Sequence, residues 1–178
     1  MAKIYYATIE LTNGKKIELR LDGASAPKSA EQFVKLAKQN YYDGTIFHRI
    51  IDNFMIQTGG YKLEDKTLSE LPKVDAIEGE FASNGYKGNN ITHELGVISM
   101  ARTMDKNSAT SQFFICSATC PWLDGEYAAF GKTVDEESNQ AVLEVSKMPT
   151  CAPHPMFTDF PVEEIGIKTV TVDNEEEI

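Results

Sequence analysis

Two alternating runs on either side of Asn13-Gly14 constrain this chain more than any other feature of its sequence. Lys3 to Leu11 and Lys16 to Leu21 each alternate polar with β-branched, aliphatic or aromatic side chains. That is the two-residue period of a strand with one buried face. Asn and Gly both tolerate the positive φ of a type I′ turn, so a β-hairpin opens the fold. Strand character returns at Ile46 to Gln57, interrupted around Asp52-Asn53, and again at Gly96 to Ala101, Gln112 to Ser117, Ala128 to Val134 and Ile165 to Val172. Helical spacing occurs twice. Pro27 to Asn40 carries Ala30, Phe33, Val34, Leu36 and Ala37 on one stripe, and Ser138 to Lys147 carries Ala141, Val142 and Val145. Many short strands with two helices predict a mainly β fold, a closed barrel or a sandwich with helices over its ends. Leu63 to Asn90, broken by Pro72, Gly79, Gly85 and Gly88, reads as long loops with a short strand near Phe81. Thr150 to Pro161 holds three prolines and reads as loop, and residues 173–178 read as a solvated acidic tail behind a single domain spanning 1–172.

Charge narrows the partners. Seventeen basic against twenty-seven acidic residues give −10 over 178 residues, a balance that repels phosphate backbones and anionic lipid, so neither nucleic acid nor membrane is expected. Three cysteines cannot all pair within one chain. The N-terminal residues form no apolar leader-like run, and no stretch approaches the roughly 18 apolar residues of a membrane span. A soluble, reduced, cytoplasmic protein is the expectation. Monomer is the default state, since no element shows a spare apolar face.

Four kinds of chemistry are conceivable. Cys116-x3-Cys120 with Cys151-x2-His154 offers four soft ligands, the number structural zinc uses; against it, Cys116 ends an apolar strand, where a lone cysteine behaves as a small hydrophobe. Cysteines, histidines and serines permit a nucleophilic triad on paper, but there is no Gly-x-Ser-x-Gly elbow. Neither a P-loop nor Gly-x-Gly-x-x-Gly occurs. The fourth is a non-covalent site on the strands themselves. Alternation puts Phe47 with Arg49, Met55 with Gln57, and Gln112 with Phe114 on shared faces. The plain alternative is a core face beside a solvated arginine. The two glutamines argue against it, because an unpaired amide buried in an apolar strand costs about 1–3 kcal/mol.

These segments resemble the cyclophilins, the cyclosporin-binding peptidyl-prolyl isomerases. The match runs through Tyr42-Asp43-Gly44-Thr45-Ile46-Phe47-His48-Arg49-Ile50-Ile51-Asp52-Asn53-Phe54-Met55-Ile56-Gln57, then Gly96 to Ala101, Ser111 to Cys116, Trp122-Leu123-Asp124-Gly125 and Phe130-Gly131-Lys132. The resemblance implies an eight-stranded antiparallel β-barrel closed by two helices. It implies that Arg49 is the catalytic arginine and that Phe54, Met55, Phe114 and Leu123 line the proline pocket. Gln57 and Gln112 would bond the substrate backbone, the Ala101-Arg102 main chain would hold the peptide, and Trp122 would stand at the pocket edge toward cyclosporin. Tyr127 stands where many members have His, Arg102 where Asn is common, and Gly60 where Asp is usual. No cofactor or metal is implied. The partners implied are proline-containing peptides and flexible or unfolded protein segments. The competing readings are a proline-segment binding module without turnover and a zinc-stabilised structural domain.

Overall fold

The computed structural model describes residues 2–178. Lys3–Leu11 (β1) and Lys16–Asp22 (β2) pair as the opening hairpin. Its turn is longer than a type I′ loop. Leu11 O accepts from Gly14 N at 3.0 Å, Leu11 N donates to Lys15 O at 2.9 Å, and of the Asn-Gly pair only Gly14 takes a positive φ, 85°. Asn13 instead accepts from Lys15 N through its side chain at 2.9 Å. A two-residue turn with positive φ at both positions, the type I′ signature, does occur, at Asp65 (50°) and Lys66 (65°). These join Tyr61–Glu64 (β5) to Thr67–Glu70 (β6), in the stretch read as loop.

The first helix, Pro27–Lys38 (α1), has no capping side chain at Ala26. Its orphan donors are met from far along the chain. Glu80, 2% exposed, accepts from Ser29 N and Ser29 Oγ on Oε1, each at 2.8 Å, and from Lys28 N on Oε2 at 3.1 Å. Glu80→Ala strands those N–H groups inside the protein. A loss of about 2 kcal/mol is expected, lowering the thermal midpoint by about 4–8 °C. Calorimetry of the two proteins checks it, and an unchanged midpoint would remove Glu80 from the cap.

The remaining strands are Arg49–Ile51 (β3), Met55–Thr58 (β4), Val97–Met100 (β7), Phe113–Cys116 (β8), Ala129–Thr133 (β9), the short pair Thr150–Cys151 (β10) and Phe160–Pro161 (β11), and Ile167–Glu177 (β12). The second helix is Glu136–Ser146 (α2), capped by Asp135, whose carboxylate accepts from Ser138 N. Eight strands form one antiparallel sheet in the order β12-β1-β2-β9-β7-β8-β4-β3. The ladder order leaves β12 and β3 as its ends rather than running unbroken around a barrel. Backbone bonds just before β3 span that gap: Phe47 N to Ile165 O at 2.9 Å, and Ile167 N to Thr45 O at 2.7 Å.

Three further expectations change. Residues 173–177 are no tail: Glu177 faces Lys3 and Asn174 faces Tyr6 across the β1 ladder. Lys38 of α1 lies 3.3 Å from Glu175, so pairing and an ion pair hold an acidic strand in place. Phe81 is followed by a 3-10 turn at Ala82–Asn84 instead of lying in a strand. The span 150–161, read as loop, contains the small β10–β11 ladder.

The main core lies within the sheet. Phe33 of α1 packs against Tyr42, Phe113 and Phe130 with ring centroids 5.2–5.8 Å apart. A second, smaller cluster of Met55, Phe114, Cys116, Cys120 and Leu123 sits apart from it. The continuous burial of β7 and β8 has this cause, since both faces are covered.

Candidate active site

The second cluster is built by strand alternation. In β4 and β8, Ile56, Phe113 and Ile115 join the main core while Met55, Phe114 and Cys116 take the opposite face. Register sets Met55 opposite Cys116, Gln57 opposite Phe114, and Arg49 opposite Gln57. Asn53, at φ 60°, reverses the chain between β3 and β4. Phe54 N then donates to Ile51 O at 3.2 Å and to Ser117 Oγ at 3.0 Å, which fixes the Phe54 ring at the rim. Alternation fails at one expected place. Phe47 precedes regular strand and turns into the main core, on the other side from Arg49.

Between these elements lies a cavity of about 140 Å³ lined by Arg49, Phe54, Met55, Gln57, Ala101, Arg102, Phe114, Leu123 and Tyr127. Its floor of Met55, Phe114 and Leu123 is buried and apolar, and Arg49 is exposed at its edge. The volume is well below the roughly 300–1,000 Å³ of a drug-sized pocket, so it suits one small ring or side chain. Nearly all the residues expected in the site therefore meet in one place. Gln112 and Trp122 stand outside the lining. Gln112 accepts from Gln57 Nε2 at 3.0 Å and lines a neighbouring hollow with Tyr41, Gly60 and Tyr61. Trp122 is 61% exposed, with its ring 5.8 Å from that of Phe54.

The polar groups are ordered by one another. Arg49 Nη1 donates to Gln57 Oε1 at 3.3 Å, and its guanidinium carbon lies 5.8 Å from the Phe54 ring centroid. Arg102 is tied back: Nη2 and Nε donate to Glu126 O at 2.6 and 3.2 Å, and Nη1 to Thr103 O at 2.9 Å. Its guanidinium lies over Tyr127 at 4.6 Å and Phe81 at 4.9 Å. The Tyr127 ring in turn meets Phe114 edge-on at 5.7 Å. Arg102 thus buttresses the wall while leaving its charge beside the cavity.

Beneath Phe114 lies support that residue patterns did not single out. His93 stacks on the Phe114 ring at 6.0 Å and 17°. Its Nδ1 faces Asp124 Oδ1 at 2.9 Å and its Nε2 faces Ser99 Oγ at 2.9 Å. This is a Ser–His–Asp chain in connectivity, yet Ser99 is 0% and His93 1% exposed, so no substrate carbonyl can reach the hydroxyl. Burial holds His93 below its ordinary pKa, opposed by Asp124, so the ring is a neutral linker. Asp124 adjoins Trp122-Leu123 and was visible as sequence, whereas nothing local to His93 signals its partners. The zinc quartet does not assemble. Cys116 and Cys120 are buried while Cys151 is exposed, and among the described residues no three His, Cys, Asp or Glu side chains form a metal-binding group. Burial also pushes the Cys116 and Cys120 thiols up.

Comparisons with known proteins agree with the geometry. Residues 6–172 match the family described as "Cyclophilin type peptidyl-prolyl cis-trans isomerase/CLD". A peptidyl-prolyl cis-trans isomerase of Acinetobacter baylyi is 37% identical over 166 residues, covering 90% of this chain and 82% of that protein. The Streptomyces antibioticus peptidyl-prolyl cis-trans isomerase cyp18 is 34% identical over 175 residues, covering 93% and 98%. A crystal structure of a Cryptosporidium parvum cyclophilin type peptidyl-prolyl cis-trans isomerase in the presence of the dipeptide Ala-Pro superposes with a TM-score of 0.75 at 26% identity, over 95% of this chain and 99% of that one. With a match that spans nearly the whole sequence and a fold in common, the chain belongs to the cyclophilin-type peptidyl-prolyl cis-trans isomerases.

Proposed function

We propose that Arg49 accelerates rotation about Xaa-Pro bonds by donating to the prolyl nitrogen of a twisted amide. The observation that carries this reading is an exposed guanidinium at the edge of a small cavity with an apolar floor. Amide resonance sets a barrier of about 18–20 kcal/mol. Twisting pyramidalises the nitrogen and frees its lone pair, which then accepts a hydrogen bond that the planar ground state cannot. Arginine suits the task because it stays charged at every working pH and presents a rigid fork of donors. No bond to carbon is made or broken, so the residues need only grip, orient and donate.

The cavity floor of Met55, Phe114 and Leu123, with Phe54 at the rim, seats the proline ring. Gln57 presents its amide to the substrate backbone, with Gln112 behind it, and the Ala101-Arg102 main chain holds the peptide in register. The uncatalysed step takes roughly 10–100 s. An ordinary turnover of about 10 s⁻¹ needs roughly a 10³-fold gain, or about 4 kcal/mol. One charge-assisted bond of about 1.5–3 kcal/mol made mainly in the twisted state supplies much of that, and the clamped ring supplies the rest. The partners are proline-containing peptides and flexible or unfolded segments whose folding the enzyme assists. The Ala-Pro dipeptide present with the related Cryptosporidium protein supports that choice. Cyclosporin is expected at the same cavity, with Trp122 at its edge. A reducing cytoplasmic setting is consistent with the three unpaired cysteines, and a monomer is the oligomeric state proposed.

The test is NMR exchange spectroscopy on an Xaa-Pro peptide with the wild-type chain. Accelerated cis/trans exchange, together with peptide-induced shifts at the Met55 and Leu123 methyls, is the expected result. Binding at those methyls without acceleration would leave a proline-binding module in place of an enzyme.

A further inference from the structure

Gly59 and Gly60 follow β4, and they are glycines for different reasons. Gly59 has φ 95°, a backbone requirement, whereas Gly60 lies outside the left-handed region. The backbone at 60 therefore makes no left-handed demand for glycine. Space is what it lacks. A Cβ on Gly60 would stand 2.6 Å from Gln112 Nε2, 2.7 Å from its Cδ and 2.9 Å from its Cγ. The main chain there is clamped. Gly60 O accepts from Leu71 N at 3.0 Å, Gly59 O accepts from Ser111 Oγ at 2.7 Å, and Ser111 O accepts from the Tyr42 hydroxyl at 2.8 Å. A side chain at 60 would accordingly displace the Gln112 amide and leave the backbone where it is.

From its seat over Gly60, Gln112 accepts from Gln57 Nε2 at 3.0 Å. That bond decides which way the Gln57 amide faces. With Nε2 committed to Gln112, Oε1 is left for Arg49 Nη1, which donates to it at 3.3 Å. We infer that Gly60 is a positioning residue for the isomerase reaction: the open space above its Cα seats Gln112, which orients Gln57 and through it the Arg49 guanidinium. At this position the family commonly carries Asp; in this chain the room such a side chain would occupy is filled by Gln112. The inference rests on the reading of Arg49 as the donor.

Xaa-Pro exchange measured by NMR on Gly60→Ala, Gln112→Ala and the double variant tests it. Gly60→Ala is expected to lower kcat about tenfold with KM changed by less than about threefold, the pattern of a contact that matters mainly in the transition state. Gln112→Ala should lose a similar amount, and the double variant should be no slower than Gln112→Ala alone, because both changes act through one amide. Wild-type turnover in Gly60→Ala, or losses that multiply in the double variant, overturns the inference. Should Gly60→Ala fail to fold, removing Gln112 must restore folding with the turnover of the Gln112→Ala protein, and failure of that rescue overturns it as well. Arg49→Ala in the same assay keeps the two readings apart. Full turnover there defeats the donor itself, whereas loss there with Gly60→Ala unaffected defeats only the glycine's role.

Discussion

Arg49→Ala is expected to slow enzyme-catalysed Xaa-Pro exchange by roughly ten- to hundredfold, the equivalent of about 1.5–3 kcal/mol for one charge-assisted hydrogen bond. Peptide affinity should change little. Arg49 is exposed at the edge of the cavity, and its side chain hydrogen-bonds only that of Gln57, so nothing in the apolar floor depends on it. A group that adds nothing to ground-state binding but acts at the twisted amide lowers kcat and leaves KM almost unmoved. Arg49→Lys separates charge from shape. It keeps the positive charge but loses the planar fork, and partial recovery is expected. An Arg49→Ala protein that exchanges peptide at the wild-type rate would transfer the catalysis to the cavity walls alone.

Acidification from pH 7 toward 4 is expected to cost the fold roughly 3 kcal/mol through His48. His48 is 6% exposed, and burial, aided by the Arg49 charge, lowers its pKa from 6.5 to about 4. The polar Gln112 side chain nearby opposes the shift without cancelling it. Over that window the unfolded chain binds the proton and the folded chain does not. Stability is therefore fully present above about 6.5, falls as pH falls, and levels off once the folded histidine also protonates near 4. His93 shifts in the same direction and adds to the slope. Carboxylates titrate near the lower end, so the informative comparison is wild type against His48→Gln in urea denaturation at pH 7, 5.5 and 4. The variant should show a shallower decline. Parallel curves would mean that His48 is not the titrating group.

The site was more legible than the scaffold that holds it. Alternation in β4 and β8 is a local property, and the sequence alone places Met55, Gln57 and Phe114 on one face. The same rule misplaced Phe47, because it presumes regular strand and the chain becomes regular only at Arg49. Turn chemistry behaved similarly. Asn13-Gly14 announced a hairpin and received a longer turn, while the type I′ turn fell on Asp65-Lys66, where no glycine advertises it. Composition misled at Asp173 to Glu177. A run of carboxylates favours solvent until a partner strand supplies hydrogen bonds, and that partner lies at the other end of the sequence. Glu80 as the cap of α1, and His93 between Asp124 and Ser99, are invisible for the same reason: each works through partners that only tertiary folding brings near.

The longest ladder of the sheet joins β1 to β12, with Lys3 opposite Glu177 and Leu11 opposite Ile167. None of its bonds can form until almost the whole sequence has been drawn into a loop. Topologies of this kind fold in milliseconds to seconds instead of microseconds. Synthesis imposes a longer wait. At about 5–20 residues per second, β1 leaves the ribosome roughly ten to thirty seconds before β12 can follow it. Throughout that interval its outer edge is a row of unpaired backbone groups, open to any passing strand. An enzyme that tends the slow bonds of other chains thus begins as a nascent chain that itself needs shelter.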